Sequence, residues 1–164
     1  MNWSLQTILK RMSATALALG LAVPATLGQA ADPQAKARAK LAFDVAKRFF
    51  RDGMFTTAVE RFDAFAGMHP GSPHHAEAVL LEGQARFQLG QFEGVAEELT
   101  AGLQTAGPWA DRYLFWIGEV QFALGYFNLA AASYGQLIEK HPGSVRALTA
   151  ALGQAQSLYQ LGDL

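Results

Sequence analysis

Residues 124–144 read LGYFNLAAASYGQLIEKHPGS, and the landmarks of this stretch recur along the chain. Its closing string HPGS also occupies residues 69–72, which lie 72 positions earlier. Glycine followed two residues later by an apolar residue, as in LGYF, occurs again at Gly53, Gly90 and Gly162. With Gly125 included, these glycines are 37, 35 and 37 residues apart, so the two HPGS strings are separated by two periods. A fixed period in the mid-thirties indicates an array of repeated structural units.

Each unit reads as two helices joined at the repeated glycine. Residues 76–89 place apolar and small side chains on one helical face, and Gly90 ends that helix as glycine does at a C′ position. Residues 92–105 resume the helical pattern, and the next unit repeats it at residues 111–124 and 127–140. Strict two-residue alternation is missing after the first thirty residues. The sequence therefore predicts an all-α fold.

The second helix of each unit ends near a proline, because proline cannot continue a helix. Pro70, Pro108 and Pro142 are spaced by 38 and 34 residues. We expect the glycine of HPGS to adopt a backbone angle that favours glycine, and Ser72 and Ser144 to cap the helices that follow.

A small residue lies seven positions before every turn glycine, at Ala46, Gly83, Gly118 and Ala155. A small side chain there allows the two helices of a unit to cross closely, since the distance between helix axes follows the side chains at the contact.

This pattern resembles the tetratricopeptide repeat, in which small, Gly, aromatic, Ala, aromatic and Pro residues recur at fixed offsets. The third unit matches at Gly118, Gly125, Phe127, Ala130, Tyr134 and Pro142. The first unit matches at Ala46, Gly53, Phe55, Ala58, Phe62 and Pro70. The middle unit keeps Gly83, Gly90 and Phe92 but departs at Val95, Leu99 and Gly102. The slightly long units are similar to those of exported bacterial envelope proteins, such as the Tol-Pal cell-division coordinator and the repeat lipoprotein of the Bam complex.

The resemblance implies a tetratricopeptide α-solenoid at residues 39–164, with units starting near residues 39, 76, 111 and 148. These make three full repeats and the first helix of a fourth. Because LGDL at residues 161–164 opens a unit whose second helix is missing, we expect the chain to be a fragment of a longer array. The alternative is that a partner covers this end, including a second copy of the chain through self-association.

The first thirty residues have the pattern of a secretory signal peptide. Lys10 and Arg11 precede an uncharged apolar run at residues 13–27, and small residues follow. We expect cleavage after Ala30, or after Ala31, with residues 31–38 forming a short linker. An uncleaved anchor is the alternative. The interpretation places the protein in the periplasm or cell envelope.

Charge and composition exclude several classes of function. The chain has 13 basic and 14 acidic residues, and removal of the signal peptide leaves 11 against 14, a net charge of −3. No basic patch favours nucleic acid, and the absence of cysteine excludes lipid attachment at the cleavage site. No motif predicts catalysis, a cofactor or a small-molecule substrate. His69, His74 and His75 lie within seven residues, but the HPGS turn explains His69, and we expect no metal site.

The resemblance also implies a peptide-binding groove lined by the first helices. The aromatic members of this groove are Phe43, Phe50, Phe87, Phe115, Phe122 and Tyr159. Its polar members are Lys40, Lys47, Arg51, Gln84, Gln88, Arg112, Glu119 and Gln156. For the aromatic members, packing between adjacent repeats is the competing interpretation. The basic residues of the first repeat predict either an acidic partner or a solvated helix face. The asparagines that chaperone-binding relatives use to clamp carboxylates are absent from these positions, so that activity is not expected here. We therefore predict a non-enzymatic scaffold or adaptor that binds a protein or peptide segment. The alternatives are a self-associating structural or assembly component, and the N-terminal fragment of a longer repeat protein with a further functional domain.

Overall fold

The computed structural model describes residues 33–162, and regular structure within that range is entirely helical. The seven α-helices are α1 (Pro33–Arg51), α2 (Phe55–Met68), α3 (His75–Gln88), α4 (Val95–Gly102), α5 (Ala110–Ala123), α6 (Phe127–Lys140) and α7 (Ala147–Leu161). Two 3₁₀ turns, Leu103–Thr105 and Gly107–Trp109, join α4 to α5. The predicted signal peptide at residues 1–30 lies outside the described residues. None of the helices described is both long enough and apolar enough to cross a lipid bilayer.

The helices form pairs that stack in chain order. Helices α1 and α2, α3 and α4, and α5 and α6 pack together as three pairs, and each pair packs against the next. Helix α7 packs against α6 in the place that a fourth first helix would take. The all-α fold of stacked helix pairs predicted from the period is therefore confirmed.

Four glycines end the first helices in the left-handed conformation, with φ between 71° and 78°: Gly53, Gly90, Gly125 and Gly162. A side chain is strained at such angles, which is why glycine recurs at these turns. Gly71 and Gly143 of the HPGS strings do not have positive φ. The expectation that they supply an unusual backbone angle was wrong, and these turns depend on their proline and serine residues.

The two HPGS turns have the same hydrogen-bonding pattern. The backbone N–H of Ser72 donates to the carbonyl oxygen of His69 at 2.9 Å, and that of Ser144 donates to His141 at 2.9 Å. Both histidines have φ of −132°. The repeated string therefore encodes a repeated turn.

The two serine hydroxyls stabilise the turn that leads into the helix, not the first helical turn itself. The Ser72 hydroxyl accepts a hydrogen bond from the backbone N–H of His74 at 3.2 Å, and the Ser144 hydroxyl accepts one from Arg146 at 3.1 Å. The helices begin only at His75 and Ala147. The predicted capping role is corrected accordingly.

Several predicted boundaries differ from the observed ones. Helix α1 begins at Pro33, so residues 33–38 are helical and not a linker. Proline suits the first turn of a helix because its missing N–H has no partner there. Helices α3, α5 and α7 each begin one residue before the predicted unit start. Helix α4 is shorter than predicted: it begins at Val95 because Gly94 has a φ of 77°, and 3₁₀ geometry replaces α-helix after Gly102.

Tyr134 locks the third repeat onto α7. Its ring lies between Gly118 of α5 and Gly153 of α7, where an added Cβ would come within 2.6 Å and 2.7 Å of ring atoms. Its hydroxyl donates a hydrogen bond to Glu119 Oε1 at 2.8 Å. Tyr113 ties the third repeat to the second in a related way, since its hydroxyl donates to the Ala76 carbonyl at 2.8 Å. Burial raises the pKa of both tyrosines, that of Tyr113 to about 12.

The small residue before the turn is buried in three repeats but not in the fourth. Ala46, Gly83 and Gly118 are buried against the second helices of their repeats. Ala155, at the same position of α7, is exposed. Its predicted role in a close helix crossing has no counterpart among the described residues, because no second helix covers it there.

We expect Gly118→Ala to destabilise the fold by about 1–3 kcal/mol, although alanine is the better helix former. The added methyl group overlaps the ring of Tyr134, which Gly153 holds from its other side. Gly67→Ala is the matched control, because a Cβ at this helical glycine of α2 meets nothing within 4 Å. That variant should be neutral or up to about 1 kcal/mol more stable. Urea unfolding followed by circular dichroism measures both, and equal stability of the two variants would contradict this account.

Candidate functional site

The first helices of successive repeats lie side by side, as the predicted groove requires. Lys47 Nζ of α1 lies 2.7 Å from Glu77 Oε1 of α3. The rings of Phe87 in α3 and Trp116 in α5 have centroids 5.2 Å apart in an edge-to-face arrangement. These contacts join α1 to α3 and α3 to α5. The term groove surface is used below for the eight predicted polar residues: Lys40, Lys47, Arg51, Gln84, Gln88, Arg112, Glu119 and Gln156.

Phe50, Phe87, Phe122 and Tyr159 each lie three residues before a turn glycine. The first three pack within their own repeats against the aromatic residue that follows the glycine, in the pairs Phe50–Phe55, Phe87–Phe92 and Phe122–Phe127. The ring centroids are 5.6, 5.2 and 5.2 Å apart, and all three pairs are edge-to-face. Such pairs stabilise packing by about 0.5–1.5 kcal/mol beyond the area they bury. Phe50, Phe87 and Phe122 thus keep only part of their surface for a partner. For Tyr159, the corresponding residue after the turn glycine is Leu164, which lies outside the described residues.

Phe43 belongs to the core and not to the groove. Its side chain is 2% exposed, with the Phe65 ring centroid 5.5 Å away and the His74 ring stacked on it at 4.7 Å. Its role as a direct partner contact is therefore corrected. It is covered because the small side chains of Ala46 and Ala58 let α2 approach α1 closely.

Phe115 is half-buried and keeps some accessible surface. Its ring centroid lies 6.2 Å from that of Tyr134, and the Arg146 guanidinium lies 5.9 Å from it. This residue remains a candidate for apolar contact with a partner.

Four members of the groove surface already have structural partners. Lys47 pairs with Glu77, and Lys40 pairs with Asp44 one turn along α1. The Arg112 guanidinium lies 4.4 Å from the Trp109 ring centroid, and Glu119 accepts the Tyr134 hydroxyl. Truncation of these side chains would disturb packing as well as any binding.

The other four members are Arg51, Gln84, Gln88 and Gln156. Within residues 33–162 their side chains make no hydrogen bond or ion pair. Gln84 is half-buried and the other three are exposed. Amide and guanidinium groups in this state are free to bind a partner's backbone or polar side chains.

The basic residues of the first repeat are largely neutralised. Lys40 donates a hydrogen bond to Asp44, and this contact lowers the pKa of the Asp44 carboxyl. Lys47 pairs with Glu77, and Arg48 Nε lies 3.7 Å from Asp52 Oδ2. These ion pairs favour the solvated-face interpretation over an acidic partner.

An open cleft at the C-terminal end of the stack brings together three predicted residues. It has a volume of about 430 Å³ and is lined by Phe122, Ala155, Gln156, Tyr159 and Gln160. The cleft joins the end of α5 to α7.

The histidines face different neighbours. The His69 ring centroid lies 5.2 Å from that of Phe65, and His74 stacks on Phe43. Nδ1 of His75 is buried and has no hydrogen-bond partner in the described structure. Within residues 33–162, three acidic or histidine side chains nowhere come together in a group that fits a metal ion.

One buried carboxyl group was missed by the sequence reasoning. Glu82 of α3 is 1% exposed, and its Oε1 accepts a hydrogen bond from Arg86 Nη2 at 2.5 Å. The same guanidinium reaches Glu98 of α4 at 3.6 Å. Burial, together with the charge of Glu98, raises the pKa of Glu82 from 4.5 to about 7. Alignment of the repeats could have revealed it, because the same position holds Val45, Ile117 and Gln154 in the other units.

Two tetratricopeptide repeat family models match the chain, one at residues 43–108 and the other at residues 112–144. The chain carries tetratricopeptide repeats. The helix pairs therefore form a solenoid of this class. The family is an interaction fold, whose members generally have no catalytic activity.

Among 21 matching chains of solved structures is the first tetratricopeptide domain of Spaghetti (RPAP3) bound to the HSP90 peptide SRMEEVD. The two structures align with a TM-score of 0.62 and 16% sequence identity. The alignment covers 76% of the present chain and 95% of the Spaghetti domain. No curated protein sequence matches the chain.

We expect Glu82→Gln to be more stable than the parent at about pH 8, by about 1–3 kcal/mol. The pKa of Glu82 is higher in the folded chain than its ordinary value, so the folded state holds the proton more tightly. The stabilisation that comes from this tightly held proton on Glu82 is therefore lost as the pH rises from about 4.5 to about 7. Glutamine keeps an oxygen for Arg86 and never ionises.

Urea unfolding at a series of pH values tests this expectation, with Glu97→Gln, on the exposed side of α4, as the matched control. The difference between Glu82→Gln and the parent should shrink as the pH falls, and that of the control should stay constant. A difference for Glu82→Gln that does not change with pH would refute the assignment.

Proposed function

We propose that this chain is a scaffold or adaptor without catalytic activity, which binds a peptide or protein segment on its groove surface. The observation that carries the proposal is the set of unengaged polar side chains, Arg51, Gln84, Gln88 and Gln156. They are presented by three first helices beside partly exposed aromatic rings. The peptide bound by the first tetratricopeptide domain of Spaghetti supports this reading by analogy of fold.

The chemistry of these four side chains favours an extended segment recognised through its backbone. Each glutamine amide offers both donors and an acceptor, and the guanidinium of Arg51 offers donors only. The backbone of an extended peptide presents N–H and C=O groups at regular intervals, which amides of successive repeats can meet. Phe87 and Phe122 then offer apolar surface for alternate side chains of the peptide.

We further propose that the protein acts in the periplasm or cell envelope, in the manner of the exported repeat proteins that it resembles. The proposal rests on the uncharged apolar run at residues 13–27, preceded by Lys10 and Arg11 and followed by Gly28 and Ala30.

The groove proposal predicts that combined Arg51→Ala, Gln84→Ala and Gln88→Ala substitutions weaken peptide binding by about tenfold or more. Each lost hydrogen bond contributes about 1 kcal/mol, and 1.4 kcal/mol is a factor of ten in affinity. Because none of the three side chains bonds within the described fold, the variant should keep the helical circular dichroism of the parent. The probes are peptides selected on the parent from a random display library and measured by fluorescence anisotropy.

The matched control removes three polar side chains from second helices, by Glu60→Ala, Glu97→Ala and Gln136→Ala. It should bind the selected peptides with the affinity of the parent. If the groove variant binds them as well as the parent does, or if the control weakens binding equally, the groove surface is not the binding site.

The export proposal predicts that the chain recovered from the cell envelope begins at Ala31. Cleavage after Ala31 would instead leave Asp32 first, and would support the same proposal. Intact-mass spectrometry distinguishes these two ends from a chain that keeps its first thirty residues. Recovery only of the unprocessed chain from the cytoplasm would contradict the proposal.

A further inference from the structure

The buried carboxyl group of Glu82 faces the first repeat. Ala78 and Ala85, four positions before it and three after it on α3, are fully buried and belong to the same hydrophobic cluster as the buried residues of α1 and α2. Residues at this spacing share one face of a helix. The charge of Asp63 in α2 also contributes to the raised pKa of Glu82. Glu82 therefore lies at the first joint of the stack, which is the contact of α3 with α1 and α2.

The later joints have neutral side chains at the same position. Ile117 of α5 belongs to the hydrophobic cluster that contains Leu99 of the preceding α4. Gln154 of α7 donates a hydrogen bond from Nε2 to the carbonyl oxygen of Ala131 in the preceding α6, at 3.3 Å. Within residues 33–162, an ionisable group thus occupies this position only at the first joint.

Ionisation of Glu82 gives the first joint a surplus of negative charge. Its hydrogen-bond partner is Arg86, and the same guanidinium also lies 3.6 Å from Glu98 of α4. With Asp63 included, three carboxylates then surround one guanidinium. A buried charge without full compensation is costly. Separation of the first repeat from α3 removes this cost, because water reaches the carboxylate.

We propose that Glu82 makes the first joint sensitive to pH, so that the first repeat is held against α3 in acid and separates from it more often near neutral pH. The pKa of Glu82 is about 7 in the folded chain, against an ordinary value of 4.5, so opening of the joint releases a proton. The ratio of open to closed joints therefore rises by up to about tenfold per pH unit between these two values, and is constant outside them. The other ion pair across this joint, between Lys47 and Glu77, is balanced in charge.

The groove surface crosses the first joint. Arg51 lies on α1, whereas Gln84 and Gln88 lie on α3. A segment bound to all three side chains requires the closed joint, so its affinity should fall as the pH rises from about 5 to about 7. This consequence rests on the proposed function. The opening itself can be measured without any partner, so that the two proposals stand or fall separately.

Thiol labelling of single-cysteine variants measures the opening, because the chain has no cysteine of its own. Ala78→Cys places a thiol in the first joint, and Ala150→Cys places one at the same position of the joint between α6 and α7. Both alanines are fully buried. The reagent is dithiodipyridine, which reacts with thiols in acid as well as at neutral pH. Its labelling rate is divided by the rate for the same variant unfolded in urea at the same pH, which gives the protection of each thiol.

We expect the protection of the thiol in Ala78→Cys to fall by about tenfold or more between about pH 5 and about pH 7. Protection in Ala150→Cys should change little. When Glu82→Gln is added to Ala78→Cys, the dependence on pH should disappear, because glutamine does not ionise. His69 and His74, which pack on aromatic rings of the first repeat, are kept in every variant. A response that these histidines cause would persist with Glu82→Gln.

A second matched pair of buried positions, Ala85→Cys and Ser157→Cys, replaces the first if circular dichroism shows that Ala78→Cys disturbs the fold. Protection at the first joint that does not change with pH overturns the proposal. An equal fall at both joints also overturns it, because Glu82 would then affect the whole fold and not one joint. A fall that persists with Glu82→Gln assigns the response to another group and overturns it equally.

Discussion

The stack depends on how closely two antiparallel helices of one repeat can approach each other. Ala46 and Ala58 set this distance in the first repeat, and Gly118 admits the ring of Tyr134 in the third. Close approach brings the aromatic residues on either side of the turn within reach of each other, so that Phe50 meets Phe55 and Phe122 meets Phe127. The left-handed glycine between them determines the angle at which the chain returns. Packing, turn geometry and aromatic contacts are thus consequences of one constraint.

The repeat architecture could be predicted from the sequence because this constraint appears in it directly. Glycine, alanine and aromatic residues have few other reasons to recur with a fixed period, and helix α6 spans the residues that the pattern indicates. The prediction was less accurate where the middle repeat departs from the pattern. Gly94 delays the start of α4, and 3₁₀ geometry replaces the α-helix after Gly102. Single glycines inside a helical pattern do not reveal which of them will break the helix.

The candidate site was less predictable, because sequence offsets identify a face of a helix but not which side chains are already engaged. Lys47 and Arg51 both fall on that face, yet only Lys47 has an acidic partner across the repeat boundary. Phe43 was assigned to the groove although the small residues around it bring α2 over its ring. Glu82 shows the opposite case, since it lies outside the predicted set and yet is buried, with Arg86 of its own helix as its hydrogen-bond partner.

The unengaged members of the groove surface are spread along the stack and not gathered at one point. Arg51 lies on α1, Gln84 and Gln88 lie on α3, and Gln156 lies on α7, where it lines a cleft with Phe122 and Tyr159. Under the proposed function, a segment that meets all four side chains must therefore extend along several repeats. Because each such hydrogen bond contributes only about 1 kcal/mol, affinity should depend on the length of the segment that the groove engages.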